Sequence, residues 1–230
     1  MKALSTALAV SLLALLGVQA NAATVTECGT DVCFTYDNAT NFGSANIIGN
    51  NIFFLPTDFI AESYNGEGAV STNSTLQVRV DAIGDFNMQK FQLQESGDYY
   101  LSGDGASATA GGMFAVTSTT KTCPDDGLFP CREQELLNAG PMTTQGTFDE
   151  WNITSEIDLT GNSDWISDSG VIMTIKNRLS ATTLNLGEEA FVEKKIAGVG
   201  ITVVPVPAAV WLLGSALGGL ACLRRKRTIN

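Results

Sequence analysis

Leu76-Gln77-Val78-Arg79-Val80-Asp81-Ala82 alternates apolar and polar side chains without a break, and its reading decides the fold class. A side-chain period of two puts Leu76, Val78, Val80 and Ala82 on one face of an extended chain and Gln77, Arg79 and Asp81 on the other, as in a strand with one buried face. Trp151-Asn152-Ile153-Thr154-Ser155-Glu156-Ile157-Asp158-Leu159 nearly repeats the pattern. Runs 113–117, 171–179 and 191–201 add shorter β-type segments. Phe91-Gln92-Leu93-Gln94 and Asp98-Tyr99-Tyr100-Leu101 read as neighbouring strands across a Glu95-Ser96-Gly97 turn. Clusters such as Tyr64-Asn65-Gly66-Glu67-Gly68 and Ser102-Gly103-Asp104-Gly105 supply turns between them, and only 132–139 has helical character. Many short strands with frequent turns predict an all-β fold, an antiparallel β-sandwich of jelly-roll-like type.

The composition narrows the chemistry. The chain has 230 residues, room for about one domain. It contains no histidine, which excludes a Ser/His/Asp or Cys/His catalytic set and any His-ligated zinc or haem built from this chain alone. The formal charge is −11 and the pI near 4.3, so nucleic acid is not an expected partner, because phosphate binding needs a basic face. With 44% apolar and 16% charged residues the composition is that of a globular protein.

The two ends carry targeting signals. Segment 1–22 has one early cation, Lys2, then an Ala/Leu/Val run, then Ala20-Asn21-Ala22 in an A-x-A arrangement, the layout of a signal peptide cleaved after Ala22. At the other end, 196–223 holds no charge and is followed at once by Arg224, Arg225, Lys226 and Arg227. Pro205 and Pro207 keep the residues before them extended, and Pro207 suits the first turn of a helix through Trp211 to Leu223. At 1.5 Å per residue that helix covers about 24 Å, a marginal membrane span. Trp211 reads as an interfacial anchor and the four cations as a cytoplasmic stop. These signals divide the chain into 1–22, an exported domain at 23–200, and a C-terminal segment at 201–230 that is membrane-anchored before processing. All 24 acids but only eight cations lie in 23–200, which leaves the exported domain at −16. Such a charge repels anionic surfaces and attracts divalent cations.

Val204-Pro205-Val206-Pro207-Ala208-Ala209, the helix Val210-Trp211-Leu212-Leu213-Gly214-Ser215-Ala216-Leu217-Gly218-Gly219-Leu220 and the basic block together resemble the PEP-CTERM class of bacterial sorting signals, in its VPLPA-type variant. The likeness covers about the last 30 residues. Val206 stands where the variant commonly has Leu, and Cys222 is unusual so late in the helix. The resemblance implies a Gram-negative surface protein whose tail an exosortase, a membrane-embedded enzyme, recognises and removes after transient insertion in the inner membrane. Such proteins usually accompany exopolysaccharide and biofilm matrix.

Four cysteines fall in the exported part, Cys28, Cys33, Cys123 and Cys131, and in an oxidising compartment an even number reads as two disulfides. Three pairings can be drawn. Sequence neighbours are expected to pair, Cys28 with Cys33 and Cys123 with Cys131, because each pair brackets a short loop. A four-cysteine zinc site is the alternative, opposed by the spacing and the compartment.

Any hydrolysis would have to rest on carboxylates. Asp168-Ser169-Gly170 matches one aspartic-protease triplet, but a dyad needs two, so a turn leading into 171–175 is the reading taken. Asp149 or Glu150 with Glu156 is the nearest glycosidase-type pair. Calcium is the one cofactor with candidate ligands, Asp104, Asp125, Asp126, Asp164 and Asp168, each on a turn. Carbohydrate recognition would use exposed aromatics, with Tyr64, Tyr99, Tyr100, Trp151 and Trp165 as candidates. Tyr99 and Tyr100 must point to opposite faces, and Trp151 falls on the buried phase of its strand. The expected function is therefore a non-enzymatic, exported β-sandwich with a structural or adhesive role at the cell surface or in the exopolysaccharide matrix. The alternatives are a calcium-assisted carbohydrate-binding module and a carboxylate-dependent glycan hydrolase.

Overall fold

The computed structural model describes residues 24–123, 129–165 and 168–202. The strands are β1 (Thr24–Cys28), β2 (Val32–Asp37), β3 (Ala45–Ile48), β4 (Asn51–Phe54), β5 (Ile60–Tyr64), β6 (Gly68–Ala82), β7 (Lys90–Ser102), β8 (Ser107–Thr122), β9 (Pro130–Asn138), β10 (Asp149–Asp158), β11 (Gly170–Thr183), β12 (Glu189–Glu193) and β13 (Ile196–Thr202). They form two antiparallel sheets, as the alternating runs predict. The first has the order β1-β2-β6-β11-β8-β9. In the second, β7 pairs along one edge with β10 and along the other with β13 and then β12, beyond which lie β4 and β3 on one side and β5 on the other. From β5 to β8 the chain changes sheet at every strand.

The inward phase of β6 is the one the sequence marks. Leu76, Val78 and Val80 are fully buried and lie opposite Ile175, Met173 and Val171 of β11, which continue across to Phe114 and Val116 of β8. These residues and the inward faces of β7, β10 and β4 close one hydrophobic core between the sheets. Burial at about 25 cal/mol per Å² of apolar surface makes this layer the main source of stability.

Three local readings need correction. Residues 132–139 are not helical, because β9 covers nearly all of them and pairs with β8. As the edge of its sheet β9 buries only Cys131 and Leu137, so no period-two signal marks it, and pairing overrides the helix preference of Glu133, Gln134, Glu135 and Leu136. Glu95-Ser96-Gly97 is not a turn, since β7 runs straight through it. The 191–201 run is two strands, parted at Lys194 and Lys195 where the chain passes from the β5 side of the sheet to the β4 side.

Both neighbour disulfides are present. Cys28–Cys33 closes the β1–β2 hairpin and Cys123–Cys131 ties the end of β8 to β9. Disulfides persist in oxidising compartments, which agrees with export. The signal peptide, Asp125, Asp126 and the tail from Val204 through Trp211 to Arg227 lie outside the described residues. Among the described residues no helix is long and apolar enough to cross a membrane.

Candidate functional site

The outward face of the second sheet gathers the polar and aromatic groups able to meet a ligand. On β7 the even-numbered residues point outward, and on β10 the outward positions opposite them are Thr154, Glu156 and Asp158. A groove of about 450 Å³ lies here, lined by Gln92, Leu93, Gln94, Thr154, Ser155 and Glu156. That volume is in the range of small-ligand sites. On the other flank of β7 the outward positions of β13 are Gly198 and Gly200, which add no side chains, and Phe53 covers Gly198.

Hydrogen bonds fix the polar floor. Glu156 accepts from Lys90 Nζ at 2.8 Å and from Gln92 Nε2 at 2.6 Å, and Lys90 also pairs with Asp158 at 3.1 Å. The hydrogen bond from Lys90, then that from Gln92, holds the Glu156 carboxyl below the usual carboxylate range. The Thr160 hydroxyl and amide, with Lys90, hold Asp158 down at about 2. These groups are ionised and paired, the opposite of a general acid, which needs a raised pKa. The glycosidase pairing also fails on distance. Asp149, Glu150 and Glu156 share strand β10, and six or seven residues at about 3.4 Å each separate them by about 20–24 Å, against the roughly 5–9.5 Å that such a pair needs.

At the far end of the same face, half-buried Tyr100 and Phe191 and exposed Phe148 form an aromatic cluster. Tyr100 and Phe148 have ring centroids 5.2 Å apart, Phe148 and Phe191 5.8 Å, and Phe148 is 65% exposed. Register explains the meeting, because Phe191 of β12 stands directly opposite Tyr100. Tyr99 points the other way, buried with its hydroxyl donating to Asp149 Oδ2 at 3.0 Å, as the alternation requires. Trp151 is buried as expected, and so is Trp165, which removes both from the exposed set. Tyr64 is 41% exposed. Phe148 lies in the loop before β10 and Phe191 in a plain β run, so nothing local in the sequence marks either as part of a surface cluster.

The structure does not bring the described calcium candidates together. Asp168 stands beside Thr120 at one end of β8, and Asp104 precedes the other end, thirteen strand residues or about 44 Å along the strand. Asp168 is buried, and its Oδ1 accepts from Thr120 Oγ1 at 2.7 Å and from the Gly170 amide at 3.1 Å, so it builds the turn into β11. Asp164 lies in the short 3-10 turn Ser163–Trp165, its amide bonded to Asn162 Oδ1. Among the described residues no three acidic or sulfur groups converge as a metal site would require.

Beside Asp104 a different carboxylate organises the turn. Glu188 accepts from the amides of Gly105, Leu184 and Asn185 and from Asn185 Nδ2, at 2.7–2.8 Å. The Asn185 side-chain bond, ahead of the amide bonds, lowers its pKa to about 2. Because the folded value lies below the ordinary 4.5, this contribution is fully present above pH 4.5 and is lost as pH falls from there toward about 2. The melting temperature is expected to drop between about pH 5 and about pH 3, and to drop less in Glu188→Gln. Equal slopes in the two proteins would show that Glu188 does not carry the effect.

The sequence reading missed one group entirely, a buried polar triad between the sheets. Lys194 Nζ lies 2.6 Å from Glu95 Oε1 and donates to Asn177 Oδ1 at 2.7 Å, while Asn177 Nδ2 donates to Glu95 Oε2 at 2.8 Å. The Lys194 and Glu95 side chains have no solvent exposure, and Asn177 is buried. Glu95 Oε1 meets the ammonium by charge at short range, with no aligned hydrogen bond of its own. The rings of Phe42, Phe59 and Trp151 surround Nζ at 5.3, 5.6 and 5.8 Å.

No protein-family model matches the chain, and no curated protein does. Among solved structures, infectious bursal disease virus of the Gx strain is similar at 15% identity and a TM-score of 0.39 over 73% of this chain, which spans 35% of that one. A carbohydrate-binding module, TmCBM61 in complex with β-1,4-galactotriose, is similar at 9% identity and a TM-score of 0.21, over 64% of this chain and 86% of the module. A family 29 carbohydrate-binding module follows at 10% identity and a TM-score of 0.17, over 74% of this chain and 85% of the module. Likeness at this level names no ligand for this chain.

Proposed function

We propose that this is an exported, non-catalytic β-sandwich of the cell surface or exopolysaccharide matrix, which holds a neutral glycan on the outward face of its second sheet. The observation that carries the reading is the pairing, on one uncovered face, of the Gln92–Glu156 groove with the Tyr100–Phe148–Phe191 cluster. Amide and carboxylate groups suit sugar hydroxyls, and aromatic faces suit the apolar sides of sugar rings. The charge of −16 on 23–200 argues for a neutral polymer over an anionic one. The order of proline motif, apolar helix and basic block supports delivery by exosortase processing. Asp104 and Asp168 stand too far apart to support a calcium-assisted form of the reading.

One preparation tests both halves. Protein isolated from the envelope of its host should have lost the C-terminal segment with Arg224 to Arg227, and should be retained in affinity gels by a neutral polysaccharide of that host. Tyr100→Ala and Phe148→Ala should each weaken retention about tenfold, the effect of a contact of about 1.4 kcal/mol. An intact tail on the mature protein would reject the sorting claim. Unchanged retention in both variants would reject the face.

A further inference from the structure

The Lys194–Asn177–Glu95 triad holds an amine, a carboxamide and a carboxylate in mutual contact, out of water and at the junction of the two sheets. We propose that Lys194 and Asn177 condense spontaneously into an intramolecular amide bond, Nζ to Cγ, with Glu95 carrying the protons.

The contacts assign each role. Lys194 Nζ rests 2.7 Å from Asn177 Oδ1, the oxygen bonded to the carbon that the amine would attack. The amide is turned so that its oxygen faces the ammonium and its NH₂ faces the carboxylate, which polarises the carbonyl and places the departing nitrogen 2.8 Å from Glu95 Oε2. Glu95 therefore touches nucleophile and leaving group through different oxygens. Holding reactants in such proximity is worth effective molarities of about 10⁵–10⁸ M.

The step balances as follows. The Lys194 ammonium gives a proton to the Glu95 carboxylate, leaving a neutral amine and a neutral acid. The nitrogen lone pair forms the Nζ–Cγ bond, and the carbonyl electrons move to Oδ1. Nδ2 takes the Glu95 proton, the Cγ–Nδ2 bond breaks with its electron pair on nitrogen, and ammonia leaves as the carbonyl re-forms. The surplus proton on Nζ passes to Glu95. An ammonium, a carboxylate and a carboxamide become one secondary amide, one neutral carboxylic acid and one ammonia, with no change in net charge and no oxidant or reductant.

Physical chemistry favours this direction. A buried ion pair carries a desolvation penalty that its attraction offsets only in part, and the reaction replaces both charges with neutral, hydrogen-bonding groups. Burial, opposed by the charge of Glu95, lowers Lys194 to about 8, which brings the amine closer to its nucleophilic form. Phe42, Phe59 and Trp151 exclude the water that would solvate the ions or hydrolyse the product. The bond would fasten β11 of the first sheet to the β12–β13 junction of the second, a covalent tie through the core of a surface protein. It stands independently of the glycan reading.

Peptide mapping of the full chain, denatured and digested with trypsin, decides the matter. The expected product is Asn177-Arg178 joined through the Lys194 side chain to peptide 179–195, lighter than the sum of its parts by one ammonia and uncut after Lys194. In Glu95→Gln the link should be lost and Lys194 should become a cleavage site. Asn177→Asp should yield a linked peptide of the same mass as wild type, because water departs in place of ammonia and the amide is identical. Free Asn177-Arg178 and complete cleavage after Lys194 in the wild-type protein would overturn the proposal whatever the variants do. Full linkage in Glu95→Gln would overturn the role given to Glu95.

Discussion

Glu95→Leu should melt roughly 6–20 °C below the double variant that adds Lys194→Met to it. The single substitution leaves the Lys194 amino group inside the sandwich without its counter-charge, so that it must stay charged unpaired or give up its proton, with Asn177 Oδ1 and three aromatic rings as its described partners. Removing one member of a buried pair costs about 3–5 kcal/mol, because the remaining charge is neither hydrated nor neutralised. In a domain of this size each kcal/mol moves the midpoint by about 2–4 °C. The double variant exchanges the pair for two apolar side chains of similar length, which buried pairs tolerate with little loss. Neither protein can form the Lys194–Asn177 amide, so their difference isolates the cost of the unpaired charge. Chemical denaturation of both proteins measures it. A double variant no more stable than the single one would mean that the triad is held by packing and that its charges contribute little.

The triad also shows where the sequence stops being readable. β6 and β10 were legible because their inward residues are mostly apolar and their outward ones polar, so period two survives in the letters. In β7 the inward phase runs Phe91, Leu93, Glu95, Gly97, Tyr99, Leu101. A charge and a glycine in the middle of a buried row imitate a turn, and both are there because Lys194 and Trp151 arrive from elsewhere in the chain. The local rule fails where tertiary chemistry occupies the core. β9 was hidden for another reason, its edge position, which leaves nearly every side chain exposed and removes the alternation. On the outward face, Gln92, Gln94 and Glu156 could be placed on exposed strand phases from sequence. The meeting of Tyr100, Phe148 and Phe191 could not, because it depends on the pairing of β12 with β7 and on a loop that no periodicity describes.

Gly97→Ala is expected to destabilise the protein by about 3 kcal/mol, a large effect for one methyl group. Gly97 faces inward on β7, opposite Trp151 of β10. A side chain there would put Cβ 1.9 Å from the Glu193 carbonyl oxygen and 2.8 Å from Trp151 Nε1. Those two atoms are hydrogen-bonded at 2.9 Å, so the indole reaches across the bare glycine to cap the last carbonyl of β12. No flexible tip can move aside, because the nearer neighbour is backbone. The methyl must displace β12 or the indole, and either movement breaks the bond and leaves a buried donor without a partner. Trp151 also packs over Lys194 Nζ, so the damage extends to the triad. Trp151→Phe provides the comparison. It gives up the hydrogen bond but keeps a ring in place and introduces no clash, so its loss should be smaller, about 1–2 kcal/mol. Equilibrium denaturation of the two variants tests the order, and a Gly97→Ala protein as stable as Trp151→Phe would show that β12 yields to the extra carbon without strain.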